Sequence, residues 1–71
     1  MSRPSAISLI VRSRQALLAD ADADERPAAE AERLRAAAAD LTRLLLDVRA
    51  GRVNVFELSE PTRMRVVVSA D

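Results

Sequence analysis

The stretch Leu44-Leu45-Leu46-Asp47-Val48-Arg49-Ala50-Gly51-Arg52-Val53-Asn54-Val55-Phe56-Glu57-Leu58 changes its period at the only glycine of the chain. Upstream of Gly51, apolar residues recur at helical spacing. Leu34, Leu41 and Val48 lie seven apart, with Ala37 and Leu44 between them and Ala38 and Leu45 widening the stripe. Ala, Leu, Glu and Arg dominate from Pro27 to Ala50, and all four favour helix. Gly51 suits the position just past the helix end, and Pro27 suits the first turn. Glu30–Arg33, Glu32–Arg35 and Asp40–Arg43 supply opposite charges three residues apart.

Downstream of Gly51 the period falls to two. Residues 53–58 read as a strand, 59–62 as a turn, and 63–69 as the returning strand. A four-residue turn pairs Leu58 with Arg63. Val53, Val55, Met64, Val66 and Val68 then share one face with Glu57 at its end, and Phe56, Leu58 and Val67 share the other with Arg63 and Arg65. A slip of one residue exchanges the faces. A two-stranded ribbon is marginal alone in water. With apolar residues on both faces, the hairpin is expected to join that of a second copy or to augment a partner's sheet.

Toward the N-terminus, Ser5 is a plausible cap after Pro4. Ile7, Ile10, Val11, Leu17 and Leu18 fit one face of a helix over about residues 5–19, interrupted by Arg14. Residues 6–12 also admit a strand with Ile7, Leu9 and Val11 on one side; the continuation through Leu17 and Leu18 favours helix. Residues 20–26, with Asp20, Asp22, Asp24 and Glu25, form an acidic turn stopped by Pro27. Arg12 and Arg14, on or beside this helix, read first as solubilising charge, with pairing to Asp20 or Asp22 or contact with an acidic partner as the alternatives. The expected fold is a single α+β domain spanning residues 1–71. It comprises a helical hairpin (about 5–19 and 27–50) followed by a C-terminal β-hairpin (about 52–69), and it is expected to be dimeric.

Composition narrows the function. The 71 residues include no His, Cys, Lys, Trp or Tyr. Those types supply most general bases, thiolates, Schiff-base amines, soft metal ligands and stacking platforms. Disulfides and the usual structural zinc sites are excluded, which leaves association as the way to stabilise a chain this small. Eleven basic residues balance eleven acidic ones, so there is no global field to steer the chain onto nucleic acid or an anionic membrane. Arg as the only basic type, with abundant Ala, indicates a GC-rich coding sequence, hence a bacterium or its phage. The apolar patch Ile7 to Val11 is too short for a signal peptide core or a membrane span, which indicates a cytoplasmic protein.

The candidate chemical sites are poor. Asp20, Asp22 and Asp24 superficially match a calcium-loop start, but the position that needs Gly is Glu25 and the one that needs Glu is Ala31. Glu30 and Glu32 lie two apart on a helix and point in different directions. No catalytic residue, cofactor or metal is expected. The leading reading is a non-enzymatic protein–protein interaction module, a small regulator, adaptor or inhibitor. Its contact surface is expected at Phe56, Leu58, Arg63, Arg65, Val66, Val67 and Val68. Alternatives are a small DNA-binding regulator using the Arg-bearing ribbon and a structural subunit of a larger assembly. Leu41→Ala and Leu44→Ala are each expected to cost about 2–5 kcal/mol, which thermal melts would register; unchanged melts would place the stripe in solvent.

Overall fold

A computed structural model describes residues 1–23, 25–60 and 62–69. Two helices, α1 (Arg3–Ala21) and α2 (Ala28–Arg49), precede two strands, β1 (Val55–Leu58) and β2 (Met64–Val67). The helices pack on one another, and the antiparallel hairpin lies on the pair as a second layer. The result is the expected α+β arrangement.

Residues 6–12 are helical. The helix begins earlier than the spacing predicts because Ser2, not Ser5, is the cap. The Ser5 backbone N–H donates to Ser2 Oγ at 3.2 Å, and Pro4 occupies the first turn, where its missing N–H costs nothing. Ala6, Ile10, Ser13, Leu17 and Ala21 form the buried stripe of α1, at spacings of three and four. On α2 the buried stripe is Ala31, Leu34, Ala38, Leu41 and Val48. The small residues on both stripes let the helix backbones approach closely, and Ile10 and Val48 are fully enclosed. Leu44 is only half-buried, so its truncation is expected to cost less than that of Leu41.

Both helix junctions are built locally. Pro27 stands one position outside α2, in extended conformation, and its carbonyl accepts the first helical bond from Ala31 N–H at 3.0 Å. The other end is closed by a Schellman motif. Gly51 N–H donates to Val48 C=O at 3.1 Å, and Arg52 N–H donates to Asp47 C=O at 2.9 Å. Gly51 has φ of 76°, in the left-handed region that only glycine enters freely. Arg52 Nε also reaches Asp47 Oδ1 at 3.1 Å, which adds an ion pair to the motif.

The hairpin differs from expectation by one residue of register. Val55 opposes Val67, Phe56 opposes Val66, Glu57 opposes Arg65, and Leu58 opposes Met64, so the loop spans residues 59–63. Pro61, part of the expected turn, lies outside the described residues. The physical reason is burial. Only the longer loop puts Phe56, Leu58, Val66 and Val68 on a common face, where each keeps 7% of its exposure or less. The four-residue turn would have turned Phe56 and Leu58 away from Val66 and Val68.

Gly51→Ala tests the helix end. A Cβ there would sit 3.9 Å from Arg3 Nη2, an ordinary contact, so the expected loss comes from the backbone alone. It should be about 1–2 kcal/mol, seen as a lower melting temperature; an unchanged melt would mean that the left-handed turn is not kept in solution.

Candidate interaction surface on the hairpin

Strand alternation and register decide which side chains the hairpin offers. The inner face is spent on the core. Phe56, Leu58, Val66 and Val68 are buried with Ile10, Leu17, Leu41 and Val48. Four of the seven residues expected to form the contact surface are therefore turned inward, a consequence of the register just described. The other three are exposed: Val67 and Arg65 on the outer face, and Arg63 just before β2. Two residues join them there that the sequence reading had assigned to the opposite face. Val55 stands across from Val67, and Glu57 stands across from Arg65. Val67 keeps 56% of its exposure and Val55 keeps 48%, an apolar pair open to solvent beside an acid–base pair.

The backbone edges of the ribbon are unequal. Val68 N–H donates to Asn54 C=O at 2.7 Å. Bonded and non-bonded pairs alternate along an antiparallel ladder. The Phe56–Val66 and Leu58–Met64 pairs thus exchange the ladder bonds, and Val55, Glu57, Arg65 and Val67 direct their N–H and C=O groups to the two edges. On the β2 edge the N-terminus intervenes. The Met1 amino group donates to Val67 C=O at 3.0 Å, and Ser69 N–H donates to Met1 C=O at 2.6 Å. Met1 thus pairs beside Val68 as a one-residue extension of the sheet. No sequence pattern announces this contact, which joins residues 66 apart. Along the β1 edge, among the described residues, no partner takes the outward groups of Val55 and Glu57.

Two clefts flank Leu58, which separates them. One, of about 190 Å³, lies between β1 and α2 and is lined by Ala37, Leu41, Leu44 and Leu58, with Asp40 and Glu60 at its rim. The other, of about 320 Å³, lies toward α1 between Leu9, Arg12, Ser13 and Met64. Met64, at the loop end of β2, is 38% exposed.

The charged side chains are mostly tied to one another. Arg33 bridges Glu30 on its own helix and Glu60 on the hairpin loop, fastening the second layer to α2. Arg26 holds Asp20, and Arg43 holds Asp40. Arg35 pairs with Asp22 instead of Glu32, at 3.3 Å. Arg14 does not reach the acidic turn. Its Nε donates to Thr42 Oγ1 at 2.8 Å, linking the two helices, while Thr42 Oγ1 donates to Ala38 C=O at 3.2 Å. Asp20 and Asp22 are thus engaged by Arg residues, and Asp24 lies outside the described residues. Among the described residues no acidic cluster is placed to hold a metal ion, and no helix is long and apolar enough to cross a membrane.

The hydrogen bonds from Arg33 hold the Glu30 carboxyl below the usual carboxylate range, with the charges of Arg33 and Arg26 adding to the effect. That shift runs opposite to the rise a general acid requires. The two carboxylates likewise push the Arg33 guanidinium upward, Glu30 more than Glu60. Because the folded-state pKa of Glu30 is depressed, the stabilisation from its pair is present above the ordinary glutamate pKa. It is lost as pH falls through the folded-state value. In an NMR titration the Glu30 midpoint should lie below that of an ordinary glutamate, and Arg33→Ala should raise it. A wild-type midpoint at the ordinary value would show that the pair does not persist in water.

No curated protein and no solved structure matches the chain. A family model described as "Uncharacterized protein BTH_I2711-like" matches residues 1–68, and the chain belongs to that family.

Proposed function

We propose that the chain is a non-enzymatic protein–protein interaction module, a small regulator, adaptor or inhibitor that works by binding another protein through the outer side of its hairpin. The observation that carries this reading is the exposed Val55–Val67 pair, set beside Glu57 and Arg65 on a rigidly seated ribbon. Apolar side chains rimmed by a charge pair are suited to a protein surface, where the core of the contact is apolar and the rim polar. The inner face anchors the ribbon to the helices, so contact residues outside are held in place before a partner arrives, which lowers the ordering entropy of binding.

The setting we propose is the cytoplasm of a GC-rich bacterium or its phage, on the strength of the Arg-only, Ala-rich composition. Nucleic-acid binding by the ribbon is the second reading. It is favoured by the exposure of both Arg63 and Arg65, and weakened by Glu57 standing directly across from Arg65.

The test is capture of partners on the immobilised full chain, compared with a double variant, Arg65→Ala with Val67→Ser. The wild type should retain a stoichiometric protein. The variant should bind it at least about tenfold more weakly, with its melting temperature little changed because both side chains are exposed. Identical retention by both, or repeated recovery of no partner, contradicts the proposal. Binding to bulk DNA with a salt slope reduced by Arg63→Ala and Arg65→Ala would favour the second reading.

A further inference from the structure

The two edges of the hairpin differ in a way that assigns them different roles. Met1 occupies the β2 edge at Val67 and Ser69, while among the described residues the β1 edge leaves the backbone groups of Val55 and Glu57 unpaired. Unpaired edge groups beside an apolar face are a template for another strand. An apolar-floored cleft runs alongside that same edge, between β1 and Ala37, Leu41 and Leu44 of α2. A strand added to β1 would roof this cleft as well as complete the ladder.

We propose that the added strand is β1 of a second copy, paired antiparallel about a two-fold axis between the two Phe56 residues, giving a four-stranded sheet in the order β2-β1-β1-β2. This deepens the reading of the chain as an interaction module, and rests on it for the claim that the hairpin is the associating element. The axis position follows from the residues. An axis at Glu57 would set two carboxylates directly opposite each other. An axis at Val55 would draw on Val53, which lies outside the strand. An axis at Phe56 opposes Val55 to Glu57 of the second copy, reciprocally, so that both outward residues of each strand exchange their N–H and C=O bonds. It keeps Glu57 beside its own Arg65 and brings the two Val55–Val67 pairs together diagonally across the seam. The two Phe56 rings meet on the inner face, joining two cores that are each small. Balanced charge, eleven basic against eleven acidic residues, leaves no net repulsion between copies.

Sedimentation equilibrium on the full chain, with hydrogen exchange followed at individual amides, tests the pairing. The expected result is a species of twice the chain mass, with Val55 and Glu57 amides exchanging more slowly as concentration rises. Val55→Pro removes an N–H that makes no bond within the chain, at an edge position where proline is tolerated. It should weaken the dimer at least about tenfold while leaving helical circular dichroism in place. Should that variant lose its helical signal, the wild-type amide exchange decides the matter.

A wild type that stays monomeric up to about 1 mM overturns the proposal. So does a dimer in which Val55 and Glu57 exchange at unprotected rates, or one that Val67→Glu dissociates and Val55→Pro does not. A monomer that still captures a protein partner would refute the self-pairing alone. A dimer that captures none would refute the wider reading alone.

Discussion

Phe56, Leu58, Val66 and Val68 lose nearly all their exposure against the helical pair, and the placement of the rest of the chain depends on keeping them there. Each such burial contributes roughly 1.5–3 kcal/mol, and a free two-stranded ribbon has no comparable source of stability. The hairpin is therefore first of all a lid on the helices. Because side chains alternate along a strand, fixing the inner row also fixes the outer row. Val55, Glu57, Arg65 and Val67 are outside because their neighbours are inside.

Long-range ties hold this two-layer arrangement in a chain that has no cysteine to cross-link it. Arg33 clasps Glu60 on the hairpin loop, and Met1 pairs with the far edge of β2. The Arg3 guanidinium reaches the turn at Gly51, where the carbonyl end of α2 favours a cation. The start of α1 is thus brought to both the end of α2 and the end of β2, which closes the chain on itself. The same closure makes the sheet asymmetric, with one edge occupied by Met1 and the other, among the described residues, without a backbone partner. The proposal that the chain works by association rests on that asymmetry and on a side-chain inventory without His, Cys or Lys.

The elements were legible where a single period dominates. The seven-residue spacing of Leu34, Leu41 and Val48, ended by Gly51, specifies α2 almost to the residue. The start of α1 was misplaced because two serines flank Pro4 and either can cap; hydrogen bonding at Ser2 decides between them. The hairpin was legible as a hairpin but not in register, because Val66-Val67-Val68 alternates equally well either way. Loop length sets the register, and it was fixed by the demand to bury Phe56 and Leu58 together with Val66 and Val68. Four of the seven residues of the expected contact surface lie in the core as a result. The pairing of Met1 with β2 had no local signal at all, since it depends on how the helices bring the N-terminus back.

The register of the hairpin is the claim on which both the buried core and the exposed surface rest, and cross-strand nuclear Overhauser effects between α-protons measure it directly. In an antiparallel ladder the α-protons approach most closely at the pairs that exchange no backbone bonds. The structure predicts strong effects between Val55 and Val67 and between Glu57 and Arg65. Strong effects between Val55 and Val66, or between Phe56 and Arg65, would mean a ladder shifted by one residue, with Phe56 and Leu58 no longer facing the helices alongside Val66 and Val68, and would contradict the account.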